Sequence, residues 1–466
     1  MKQKFSAVLC FVIIIFISSC NKISEHPDPI NGIWECVGYG QQIDINDSLA
    51  SFYDIYKTGR NLNFKINRIE FDNLFDQRKL ASDSLTIKFG INEYDFFRVA
   101  PGSNLSQIDL TNSKDPLVNF DALWYTFDAN YCSFDIRGVD WKKLREQYRN
   151  KLTAKSTEQE LYVVLSQMLL QLNDGHVSID MPESLEHEKE ETLDQVDMMK
   201  DSVINSLNKK YLRKKVQYNR GIINWGFINK DIAYIQINDF EKLANFDLDP
   251  KLSTEQFFLE YEKRAALSPN YVSDIKQGIK KQMDFIFKEV KPAKSCIIDM
   301  RFNGGGSDEA ALEVVSHFVK RKTNVLLKKV KLDKGFSREQ RIVVNPSENY
   351  FAGKVFILTS PQTASAAETF VLASMNLPNA VRIGSTTEGI FSDILSKKLP
   401  NGWDYGLSNE IYTSNKGVNY EKQGIPADFR IVYAKDGLKF YKSLLQSAET
   451  GDLAIETAFK LHNSSK

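Results

Sequence analysis

Four short apolar runs constrain this chain more than any other feature: Ile232–Ile237, Cys296–Asp299, Lys354–Leu358 and Ala380–Gly384. Stretches with helical spacing separate them, near residues 254–266, 272–288, 309–319 and 366–375. Runs this short and this rich in Ile and Val read as strands buried on both faces. Strand and helix in alternation then predict a mostly parallel sheet covered by helices. Sites on such sheets form in the loops at the carboxyl ends of the strands, so the residues after each run carry the functional argument.

Two of these loops hold chemistry. The run from Cys296 continues as Asp299-Met-Arg-Phe-Asn-Gly-Gly-Gly306. Three glycines let backbone amides approach a ligand without obstruction, which suits an oxyanion hole, a phosphate loop or simply a tight turn. The Lys and Ser/Thr of a P-loop are missing and the dinucleotide spacing is not met. After the run at Lys354, a Pro-containing turn leads to Thr363-Ala-Ser-Ala-Ala-Glu368. Ser365 at a strand-to-helix corner has the placement of an exposed nucleophile, and the amide of Ala366 would face a developing oxyanion. The same Ser-x-x-Glu pattern is a capping box, in which Ser365 and Glu368 would only start a helix. A base would have to come from His26, His176, His187, His317 or His462. Of these, His176 follows the Asn173-Asp-Gly175 turn and opens a short strand.

The rest of the chain divides by pattern. Lys2 and Lys4 precede the apolar run Phe5–Ile17, which is too short to span a bilayer and fits a signal-peptide core. Ile17-Ser-Ser-Cys20 follows and resembles the bacterial lipoprotein box, which implies removal of residues 1–19 and lipidation of Cys20. Residues 20–29 read as a tether. Alternating segments across 30–105 predict a small antiparallel β domain, whose Gly32-Ile-Trp34 opening resembles lipocalin-like barrels. Residues 113–180 read as a helical bundle ending in the Gly-His strand, with Ser156 as a candidate N-cap. Residues 181–221 read as a charged helical connector, 222–450 as the core, and 451–466 as a C-terminal tail. Lys plus Arg equals Asp plus Glu at 60 each, so no overall field would gather nucleic acid. Cys36, Cys132 and Cys296 are odd in number and match no zinc pattern. They read as buried apolar residues, with one disulfide left open as the other reading. No metal or cofactor is expected.

In combination, Asp-x-Arg-x-Asn-Gly-Gly-Gly after a strand, the later Ser-Ala-Ala-Glu corner, Gly-His-Val after a helical bundle, and Tyr420-Glu-Lys-Gln-Gly-Ile-Pro-Ala-Asp428 resemble the tail-specific, or C-terminal processing, serine peptidases and their tricorn-core relatives. The resemblance implies an α/β peptidase core of the ClpP/crotonase type. One branch of that family uses a Ser-Lys dyad, whose lysine position is filled here by Ile390, and Lys397 and Lys398 come too late. The other branch uses His, Ser and Glu in that order, which points to Ser365 as nucleophile, His176 as base and Glu421 as orienting acid. It also places the oxyanion donors at Gly305 or Gly306, with Gly304 behind them, and at Ala366. Glu368 is left as a helix cap, with Asp299, Arg301 and Asn303 shaping the loop. The stretch between Asp180 and Ile222 is too short for the peptide-binding PDZ domain that many relatives carry. The expected protein is an exported serine endopeptidase, anchored by lipid at the periplasmic or outer-membrane face of a bacterial membrane and acting on peptides or unfolded proteins. The alternative is an inactive protein on the same fold that binds peptides or apolar ligands.

Overall fold

The computed structural model describes residues 28–464 apart from 101, 103–107, 182–190 and 269. The expected signal peptide, Cys20 and most of the tether lie outside the described residues. Among the described residues, no helix is long and apolar enough to cross a membrane.

All four apolar runs fall in one seven-stranded sheet. Its order is Phe429–Arg430, Ala380–Gly384, Lys354–Thr359, Ser295–Asp299, Ile232–Ile237, Ile223–Asn229 and Val216–Tyr218. The first five strands are parallel and the last two antiparallel. Side chains alternate between two apolar layers, as a period of two residues requires. Cys296, Ile298, Val355 and Ile357 pack toward the helices Tyr271–Val290, Asp308–Ser316 and Ala366–Ser374. Ile297, Phe356 and Leu358 pack toward Glu191–Tyr211, Gly437–Thr450 and Leu453–Asn463. The segment read as a C-terminal tail is therefore a packed helix, with Ala454, Ile455 and Ala458 buried. Cys36, Cys132 and Cys296 are all free thiols.

The N-terminal segment forms a seven-stranded antiparallel sheet in which the first strand, Gly32–Cys36, pairs with the last, Asn92–Arg98. The helical bundle comprises Pro116–Asn130, Phe134–Arg137, Trp141–Arg149 and Glu158–Leu170. Trp124 and Trp141 stack in it, and each indole N–H donates to the other's carbonyl at 3.1 Å. The last bundle helix is capped by Thr157, one residue after Ser156, because Thr157 and Glu160 complete a capping box. Bundle, N-terminal sheet and core residues such as Leu395, Trp403 and Tyr405 share one apolar cluster. One buried ion pair crosses the same boundary, Lys397 lying 3.2 Å from Asp54, and Glu410, paired with Lys328 at 2.8 Å within the core, accepts across it from Tyr39 at 2.5 Å.

Beneath the glycine loop, Arg301 is fully buried. Its Nε and Nη2 donate to Asp299 at 3.0 and 2.7 Å, and Nη1 donates to Asp452 at 2.7 Å. The other oxygen of Asp452 caps the last helix through Ala454 and Ile455. Removing one partner of a buried pair strands the other charge, at a cost of about 3–5 kcal/mol. Asp452→Ala should lower the unfolding free energy by that much, read as a lower urea midpoint with an unchanged dependence on denaturant.

Candidate active site

The loops after Ser295–Asp299 and Lys354–Thr359 are stitched together by short polar side chains. Ser360 Oγ donates to the Arg301 carbonyl at 2.6 Å and Thr363 Oγ1 to that of Met300 at 2.9 Å, while the Ala364 amide donates to the Asn303 carbonyl at 3.2 Å. These bonds press Ser365 against the glycines. A Cβ on Gly305 would lie 2.6 Å from Ser365 Cβ, and Gly305 has φ +118°, so only glycine fits there.

Ser365 sits at φ +52°, ψ −124°, a strained conformation for a residue with a side chain, and its hydroxyl makes no capping bond. It is not a helix cap. Its Oγ instead lies 2.9 Å from His176 Nε2. Glu368 is not a cap either. It is buried under the next loop, where it accepts from Thr387 Oγ1 and from the amides of Gly389 and Ile390, the last two at 2.8 Å each. Burial pushes its pKa up to about 8, although all three donors pull it down. The capping-box reading fails because positive φ at Ser365 turns the hydroxyl away from the helix and frees it for His176.

His176 is carried in from the bundle. The short strand Ser178–Ile179 pairs with Asp404–Ser408. The buried Asp174 accepts from the His176 amide at 3.0 Å, from the Tyr131 hydroxyl at 2.7 Å and from Ser408 Oγ at 3.3 Å, which locks the turn. Burial holds the imidazole below its ordinary pKa, and the charge of Arg137 acts in the same direction against Asp174 and Asp393.

Glu421 is buried in the same neighbourhood but does not hydrogen-bond His176. One of its oxygens pairs with Arg137 and the other accepts from the Phe391 amide at 2.8 Å. Nδ1 of His176, where a directly orienting acid would sit, has no hydrogen-bond partner among the described residues. The Phe391 backbone favours the protonated ring, as do the larger effects of the Asp174 and Asp393 charges. Glu421, the expected orienting acid, thus makes no hydrogen bond to His176 and holds the Phe391 amide instead. Burial pushes the Glu421 carboxyl up to about 7, with Asp174 adding to the rise and the Phe391 amide and Arg137 opposing it.

The expected oxyanion donors separate. The Gly305 amide donates to Asn303 Oδ1 at 2.8 Å and is not free to hold a substrate oxygen, because Asn303 folds back to close the turn. The amides of Gly306 and Ala366 bond no partner among the described residues. Ile390, at the position of the family's lysine, packs against Gly175. No group of His, Cys, Asp or Glu among the described residues could hold a metal ion.

Comparison with known proteins follows the same outline. The profile of Peptidase family S41 matches residues 231–431, and that of the Tricorn protease C1 domain matches residues 113–170. The core of this chain is a family S41 serine peptidase. Among solved structures, a candidate peptidase from Parabacteroides merdae superposes with a TM-score of 0.54 at 20% identity, covering 75% of this chain and 97% of its own. Mature CPAF superposes with a TM-score of 0.50 at 9% identity, covering 72% and 96%. At those identities the likeness shows the fold. The inactive binding-protein alternative is not favoured for this peptidase, since His176 and Ser365 are in contact.

One site residue had no signal in the sequence. Arg137 ends the one-turn helix Phe134–Arg137, and an arginine in a short polar stretch reads as surface, yet its side chain is 5% exposed.

Two substitutions test this geometry. Gly305→Ala should abolish peptidase activity while the protein stays folded, because the added methyl displaces Ser365. Glu368→Ala leaves three buried donors unpaired at about 1–3 kcal/mol each, and should lower both Tm and activity.

Proposed function

We propose that this peptidase hydrolyses peptide bonds through an acyl-enzyme on Ser365, with His176 as general base. The observation that carries the reading is the 2.9 Å contact between His176 Nε2 and the hydroxyl of a serine held at positive φ. The imidazole, kept neutral by burial, takes the Ser365 proton as the oxygen attacks the scissile carbonyl, then returns it to the leaving amine. Water attacks the ester by the same route in reverse. The amides of Ala366 and Gly306 are assigned to the oxyanion, where one lost donor costs about 3 kcal/mol. Glu421 supports the imidazolium from one residue away, by fixing Phe391 and balancing Arg137.

The substrates proposed are peptides and unfolded proteins, the class that a serine-type peptidase cleaves. The chain is further proposed to work outside the cytoplasm, tethered through lipid on Cys20. That reading rests on the charge, apolar core and Ser-Ser-Cys order of its first residues.

A fluorophosphonate probe should label the peptidase at Ser365, and neither Ser365→Ala nor His176→Ala should react. Both variants should lose about 10⁴-fold or more in kcat on a casein-derived peptide, and Glu421→Gln about 10- to 100-fold. Undiminished cleavage by Ser365→Ala would overturn the assignment.

The pH profile gives a second check. The working state has neutral His176 and ionised Glu421, so kcat/KM should approach its full value only about a pH unit above 7. It should fall as pH drops through about 7, where Glu421 takes up a proton, and further as His176 protonates below its ordinary value.

A further inference from the structure

Around Arg137 and the imidazole the acids outnumber the cations. Asp174 stands on its own turn, Glu388 and Asp393 on the loop that follows the Glu368 anchor, and Glu421 on the late loop before Gly424-Ile-Pro426. Against them stands Arg137. Its Nη1 donates to the Asn173 carbonyl, and its Nη2 pairs with Glu421 and lies 3.7 Å from Asp174 Oδ1. Three segments far apart in sequence therefore meet on one guanidinium: the bundle turn that ends at Gly138, the turn that carries His176, and the loop that carries Glu421. Lys422 reinforces the same junction by donating to the Ile136 carbonyl at 3.1 Å.

We propose that Arg137 is a positioning residue of the reaction, holding His176 and Glu421 in working register through Asn173 and Phe391. The inference rests on the serine-peptidase reading above and adds a residue to it. Each contact has a stated effect. Asn173, at φ +48°, begins the turn that ends at His176, so fixing its carbonyl fixes where the imidazole stands. Occupying one oxygen of Glu421 leaves the other to accept from Phe391, and so places the Phe391 backbone beside the ring. The planar fork is what allows both at once. A lysine ammonium brings the charge but not two donors at fixed spacing.

The charge has its own consequence, separate from the shape. A buried cation beside the imidazole disfavours the imidazolium, which helps keep the base neutral before attack. Arg137 also favours the ionised form of Glu421, the form that accepts from Phe391.

The test compares Arg137→Gln and Arg137→Lys with wild type in the full-length protein, using steady-state peptide cleavage from pH 5 to 9, circular dichroism and fluorophosphonate labelling. Arg137→Gln should lose about 10²-fold in kcat with little change in KM, the scale of a small misplacement of reacting groups. Its acid limb should move to higher pH, since both His176 and Glu421 then hold protons more readily. Arg137→Lys should keep the acid limb near wild type while recovering only part of the rate. A merely structural arginine would lower activity with no movement of the acid limb, and that result overturns the proposal. A rise in activity in Arg137→Gln overturns it too, because Arg137 would then be restraining Glu421. Should Arg137→Gln fail to fold, Arg137→Lys decides alone, and full wild-type kcat in it refutes the need for the two-donor fork. Failure of the underlying reading looks different: wild type itself would escape the probe, and Ser365→Ala would cleave peptide.

Discussion

The contact between His176 and Ser365 joins residues 189 apart, and the rest of the molecule is arranged so that it can form. A single hydrogen bond contributes about 1 kcal/mol net, far too little to bring two lobes together. Apolar packing supplies that instead: bundle helices, N-terminal strands and core strands close over one cluster that includes Trp34, Trp124, Trp141 and Tyr405. Within it, two residues of strand pairing at Ser178–Ile179 and the bonds to Asp174 set the final ångström. Bundle and sheet are therefore one packed unit.

Buried charge recurs wherever separate segments must meet in one register. Lys397 with Asp54 fastens the N-terminal sheet, Lys328 with Glu410 joins two core strands, Arg301 with Asp299 and Asp452 fastens the last helix, and Arg137 with Glu421 fastens the site. Ion pairs of this kind add little net stability over apolar residues of similar size. What they do penalise is misalignment, since any other register leaves a charge in a dry interior without its partner. Their positions fit that use, because each lies where two elements distant in sequence touch.

The parallel core was legible because its strands are buried on both faces and carry unbroken apolar runs. Ser365 and the glycine loop were legible as a place, but not in the detail of their bonds. Ser-x-x-Glu reads equally as cap or nucleophile until the backbone angle at Ser365 is known, and that angle comes from the clasp between Thr363, Ser360 and the facing loop. Likewise, three adjacent glycines cannot say which amide is spoken for, and Asn303 decides it. Glu421 was singled out by its motif, whereas its bonds go to the Arg137 side chain and the Phe391 backbone, which carry no local pattern. The last helix could have been found: Asp452 before Ala454, Ile455 and Ala458 is a capping residue followed by apolar helical spacing.

The bond from Arg301 to Asp452 spans 151 residues and ties the glycine loop to the last helix. A chain is delivered from its N-terminus, so Arg301 and the glycine loop beside it emerge long before their second anchor. Until Asp452 arrives, closing the sheet would bury a guanidinium short of a partner, and the apolar layer behind Ile297 and Phe356 would lack a covering helix. The base of the glycine loop therefore gains its second anchor only when the last helix docks.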